Sequence, residues 1–137
     1  MATTYRGLMN LIGKLELRKI TEWSVGYDKE SDHGIPAPID TANVVTSAVV
    51  EDQVRWGQRH HVLLDLDREA HLIPSSTPGH FHLYVDLGTP TTDLKYFRFL
   101  DAAADIGLIE SGYANASRAR GASYLRLPWA KKGGVNV

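Results

Sequence analysis

The sequence predicts an α+β fold: a mainly antiparallel sheet with two helices packed on one face and the opposite, polar face left open. Three observations predict it. Two runs, HHVLLDLD and HFHLYVDL, alternate apolar and polar residues with the period of two expected of half-buried strands. Past Gly88 the period lengthens to that of helices, and near the end SYLRLPW alternates again. Strands, then a helical pair, then a strand is the order in which helices cover one side of an antiparallel sheet.

The bulk properties suit that fold. With 137 residues and 43% hydrophobic composition, the chain can bury one ordinary core, expected over residues 1–130 with a flexible tail at 131–137. Because cysteine is absent, disulfides, thiolate metal sites and a cysteine nucleophile are all excluded. Any metal must therefore take His, carboxylate or carbonyl ligands. The opening MATTYRGLMNLIGKLELRK has no continuous apolar run of signal or spanning length, so a soluble cytoplasmic protein is expected, with no membrane partner. A net charge of −1 provides no global attraction for nucleic acid, but Arg118, Arg120, Arg126, Lys131 and Lys132 follow one another with no intervening acid. That local basic segment is either a solvated face or a surface for phosphates.

Taken in order, MNLIGK predicts a short helical turn, and the alternation of Leu15, Leu17 and Lys19 predicts a strand. DKESDHGIPAPID is a loop, bent by Gly34, Pro36 and Pro38. NVVTSAVVEDQ, rich in β-branched residues, predicts the next strand, and VRWGQR a connection. Two further strands are expected at Arg59 to Asp67 and His80 to Leu87, joined by a connector that contains the short apolar AHLIP and the tight polar turn SSTPG. The first helix has Thr91 or Thr92 as N-cap, Leu94, Phe97, Leu100 and Ala104 at helical spacing, and Gly107 as its stop. ESGYANASRARG predicts a second helix ending at Gly121, with Arg118 and Arg120 in its last turn, where the helix dipole favours cations. SYLRLPWAKK then reads as a terminal strand at an edge because of Pro128.

Period two also sorts the side chains of the two polar strands. Val62, Leu64 and Leu66 point one way; His61, Leu63, Asp65 and Asp67 point the other. In the second strand Phe81, Leu83, Val85 and Leu87 oppose His80, His82, Tyr84 and Asp86. Were the strands neighbours, the polar rows would share one surface. Carboxylates two residues apart on a strand lie about 6.5–7 Å apart at Cα and can reach one hard cation, whereas an exposed sheet face is polar simply because it is wet. His80-x-His82 lacks the second His-x-Ser/Thr of a two-histidine phosphoesterase, and Ser75 and Ser76 lack a nucleophile-elbow context.

The combination of LLDLD, SSTPGHFHLYV and LRLP resembles the archaeo-eukaryotic primase superfamily and its primase-polymerase relatives, over about residues 59–129. HVLLDLD, IPSSTPGH, HLYVD and LRLPW also resemble small proteins encoded by actinobacterial phages and their prophages. The primase likeness implies an RNA-recognition-motif or primase-core arrangement. It implies Asp65 and Asp67 as ligands of Mg²⁺ or Mn²⁺ and as catalytic residues with His82, the phosphate contact. Ser75, Ser76, His80 and Arg126 would bind the nucleotide. The phage likeness implies an infected or lysogenic host.

Two kinds of function stay open. One is an accessory domain binding a nucleotide, single-stranded nucleic acid, or a host or phage protein through the open sheet face, with Tyr84 and Tyr124 offering stacking surfaces. The other is metal-dependent nucleotidyl or phosphoryl transfer at Asp65, Asp67 and His82, with Arg126 or Arg120 neutralising phosphate charge.

Overall fold

The computed structural model describes residues 5–21, 33–50 and 57–130. The tail expected at 131–137 and much of the connections expected around 22–32 and 51–56 lie outside the described residues. The chain divides into two compact units, Met1–Asp65 and Leu66–Val137, each with an antiparallel sheet of its own. The α+β class and the antiparallel pairing are as expected, with the strands divided between a three-stranded and a two-stranded sheet.

The first unit opens with α1 (Tyr5–Ile12), whose Tyr5, Leu8, Met9 and Ile12 form one apolar stripe. Its end is tied by Gly13 N–H to Met9 O at 3.0 Å, and the chain turns into β1 (Leu15–Lys19). β1 is central, flanked antiparallel by β2 (Ile35–Pro36) and β3 (Val44–Val49). Leu15 in β1 and Ile20 just past its end are buried. Past β1 the Asn43 amide continues the pairing: it donates to Ile20 O and accepts from Ile20 N–H, both at 2.9 Å. Gly34 has φ +65°, and a Cβ there would lie 2.6 Å from Lys19 O, so only glycine closes this approach.

The strand expected at Arg59 to Asp67 is not formed. His60 makes an isolated bridge to Ala48, Val49 N–H reaches Arg59 O at 3.1 Å, His61 N–H reaches Ser47 O at 3.0 Å, and there the pairing stops. Residues His61 to Leu66 run on outside any strand, and Asp67 lies in a bend. Alternation licenses a strand but does not supply the backbone partner that a ladder needs.

In the second unit, β4 (Ala70–Pro74) pairs antiparallel with β5 (Phe81–Val85) in unbroken register from Ala70 opposite Val85 to Pro74 opposite Phe81. β4 is the AHLIP stretch expected to be a connector. α2 (Asp93–Asp105) follows, with the Thr92 side chain accepting from Lys95 N–H and Gly107 at φ 84° just past its end. α3 (Ser111–Arg120) closes on the left-handed Gly121, with Arg118 and Arg120 in its last turn, as expected. The two helices pack on each other, with Leu100, Ala103, Ala114 and Ser117 buried; the last three are small and allow close approach. Arg118 joins them on the rim, bound to Asp101 and lying 5.8 Å from the Phe97 ring centre.

The terminal strand expected in SYLRLPWAKK is not formed either: Ser123 to Leu127 make no ladder, and Pro128 and Trp129 turn. Pro128 has no N–H to extend one. Among the described residues, no helix is long and apolar enough to cross a membrane.

Candidate ligand-binding site

Of the site residues that the sequence singles out, Ser75, Ser76, His80 and His82 lie on the β4–β5 hairpin and its turn, whereas Asp65, Asp67 and Arg126 lie outside it. Ser75 N–H donates to His80 O at 2.9 Å, and Asp86 N–H donates to Glu69 O at 3.0 Å, so the pairing runs one residue past the strands at each end. One side of the hairpin therefore carries Glu69, His71, Ile73 and Ser75 opposite Asp86, Tyr84, His82 and His80. His80, His82, Tyr84 and Asp86 share a side as period two requires. The row facing them comes from β4; His61, Asp65 and Asp67 lie in no strand. Glu69 and His71 were missed; their signal was the alternation Glu69, His71, Ile73 in EAHLIP, masked by the brevity of the run. The His71 imidazole and the Glu69 carboxylate are 2.9 Å apart and exposed.

Exposure on the hairpin departs from expectation. The apolar side is not covered, with Leu72 54%, Phe81 53% and Leu83 54% exposed; the polar side is open as expected, with Glu69, His71, His80 and Asp86 exposed and His82 and Tyr84 half-buried. Period two assigns the sides correctly but does not say whether either is covered.

The turn is held by its own hydroxyls. Ser75 Oγ accepts from Thr77 N–H at 3.1 Å and donates to Thr77 O at 3.3 Å, His80 N–H bonds Thr77 O at 3.1 Å, and Gly79 takes φ 80°. Onto this turn comes Arg126, whose Nη1 donates to Ser76 Oγ at 2.8 Å across fifty residues of sequence. Both side chains are exposed. A guanidinium carries five N–H donors in a fixed fork, and one contact to Ser76 leaves the rest to meet an anion. Ser76 and Arg126, both expected to bind nucleotide, are thus in contact, and His80 stands at the base of the same turn.

A second cationic feature follows α3. The Arg120 guanidinium lies 4.7 Å from the ring centre of Tyr124, whose side chain is exposed. That is a cation–π pair with a planar, polarisable surface. Arg118, by contrast, is engaged with Asp101 and Phe97, which ties this member of the basic segment to helix packing. Lys131 and Lys132 lie outside the described residues.

Nearby, a cleft of about 490 Å³ opens among the end of β5, the start of α2 and the residues after α3. Tyr96 on its wall donates to Ser123 Oγ at 2.5 Å, and Ser123 donates to the buried Ser117 Oγ at 3.0 Å. This hydroxyl chain, which the sequence did not reveal, ties the segment after α3 to both helices.

The Asp pair falls at the boundary between the units: Asp65 is the last residue of the first and Asp67 the second residue of the other. Since neither is in a strand, period two no longer places them on one side. Among the described residues, no three His, Asp or Glu side chains are grouped to hold a metal ion, so the expectation of Mg²⁺ or Mn²⁺ rests on the sequence pattern alone.

No protein-family model, no curated protein and no solved structure matches this chain.

Proposed function

We propose that this chain is a small phage-type accessory domain, related to a reduced primase core, that binds nucleotide phosphates or single-stranded nucleic acid without full polymerase activity. The observation that carries the reading is the Arg126 to Ser76 contact at the β4–β5 turn, which pairs a planar cation with a hydroxyl-rich loop. Such a pair suits a phosphate, since guanidinium and hydroxyl donors match its oxygens. The Arg120–Tyr124 stack adds an exposed aromatic surface, the other element that single strands use. Phosphate contact at the turn and base stacking at Tyr124 then divide the labour, positioning by charge and holding by π-contact.

The test is fluorescence anisotropy of a labelled oligothymidylate on the full chain, with a nucleoside triphosphate as competitor. Arg126→Ala should weaken binding by about tenfold or more, as expected for lost charge-assisted hydrogen bonds, and should make the salt dependence shallower. Tyr124→Ala should cost about 1–3 kcal/mol of binding with little change in that salt dependence. Absence of binding at low salt would sink the reading and leave a host or phage protein as the partner, which capture from host lysate would test.

The catalytic alternative keeps its support in the resemblance at Asp65, Asp67 and His82. Calorimetric titration with Mn²⁺ and a nucleoside triphosphate separates the two. Metal-dependent binding that vanishes in Asp65→Ala/Asp67→Ala favours the enzyme, whereas metal-independent binding that survives there favours the accessory domain.

A further inference from the structure

We infer that β5 pairs along its outer edge with β5 of a second copy of this chain, antiparallel about a two-fold axis at Leu83. The inference is independent of the proposed ligand. In the β4–β5 ladder the even-numbered residues of β5 turn their backbone groups inward: His80 accepts from Ser75, and Asp86 donates to Glu69. By the alternation of an antiparallel ladder, Phe81, Leu83 and Val85 present their N–H and C=O groups on the opposite edge. Among the described residues no strand lies along that edge.

The edge lacks the residues and irregularities that most directly block pairing. Phe81–Val85 contains no proline, no lysine and no bulge, and its composition favours strands. Such an edge is a template for another strand.

The sequence of the edge selects the occupant and the register. With Leu83 opposite Leu83 of the second copy, Phe81 falls opposite Val85 and Val85 opposite Phe81, so every outward N–H and C=O of the strand meets its complement. On the apolar side this sets leucine against leucine and an aromatic ring against a β-branched residue, a favourable cross-strand pair. On the other side His82 meets Tyr84, and His80 meets Asp86. Asp86 already holds Gly88 N–H at 2.8 Å through Oδ1, so Oδ2 is the oxygen to accept an imidazole N–H from the second copy. The Leu83 register alone pairs all three outward residues within the strand: an axis at His82 sets Val85 opposite Gly79 in the turn, and an axis at Tyr84 sets Phe81 opposite Leu87, past the strand, whose carbonyl already accepts from Thr89 N–H. The product is a continuous four-stranded sheet, β4-β5-β5-β4, in place of two isolated hairpins, which are marginal alone.

Sedimentation velocity of the full chain over a range of concentrations should show a reversible shift from monomer to twice the monomer mass. Leu83→Pro should abolish the shift: the lost N–H faces the outer edge, so the β4–β5 ladder is kept, and far-ultraviolet circular dichroism should confirm folding. A second readout needs no stability argument, since the chain has no cysteine. In a hydrogen-bonded pair at the axis, the Cα atoms stand about 5.5 Å apart, within disulfide range. Mild oxidation should therefore crosslink Leu83→Cys at least about tenfold faster than Leu72→Cys, where β4 lies far from the axis. A single monomeric species at all concentrations, or equal crosslinking of the two variants, would overturn the inference and assign the edge to a contact within the chain or to another partner.

Discussion

The stretches HHVLLDLD and HFHLYVDL look alike on paper and differ in the molecule. Both alternate aliphatic residues with His and Asp, yet only the second is a strand. The first pairs at His60 with Ala48 and then runs from His61 to Leu66 without a ladder. The second is preceded by SSTPG, a turn that folds the chain back and delivers AHLIP as a partner five pairs long. Alternation thus describes how a strand would divide its side chains. Whether the strand exists depends on a neighbour, and a short turn brings one at the lowest loop-closure cost.

That contrast can be broken most directly at the backbone. Ile73→Pro removes an N–H that faces β5 and should cost about 3 kcal/mol or more, whereas Leu64→Pro, at a position 70% exposed and outside any ladder, should stay within about 1 kcal/mol. Urea denaturation of the two variants measures the difference, and equal losses would mean that 61–66 is as structurally committed as β4.

The turn comes next in size. Gly79→Ala forces a side chain into φ 80°, with nothing within 4 Å to clash, so the cost should be the conformational one alone, about 1–2 kcal/mol in thermal or chemical unfolding. A neutral result would show that another turn geometry sets the register equally well.

The polar pair on β4 should matter least to stability. Glu69 and His71 are exposed, so Glu69→Gln should change unfolding free energy by no more than about 0.5 kcal/mol. A larger loss would reveal that this polar row is part of the core and not a binding surface.

Much of the fold is legible in the sequence. The helix from Asp93 announced its Thr92 cap and its Gly107 stop, and the helix ending at Gly121 announced its terminal arginines, because caps and stops depend on neighbouring residues only. β1, β3 and β5 followed from β-branched content and period two. The differences in secondary structure all concern pairing. AHLIP was short enough to pass as a connector, 59–67 and SYLRLPW were regular enough to pass as strands, and each outcome was decided by a partner distant from the residues in question.

The candidate site divides in the same way. Sequence chose Ser76 and Arg126 by chemistry and by resemblance, but their contact spans fifty positions and exists only after the helical pair has returned the chain to the turn. It placed His80, His82, Tyr84 and Asp86 on one side of a strand, since successive side chains must alternate. It set Asp65 and Asp67 beside them on the assumption of a second strand, and that assumption failed for lack of a backbone partner. The sequence alone determined what each element offers: its period, its ends and the chemistry along each side. Tertiary structure decided which elements meet and which side water reaches, because pairing and burial are properties of two segments at once and no local pattern contains the second.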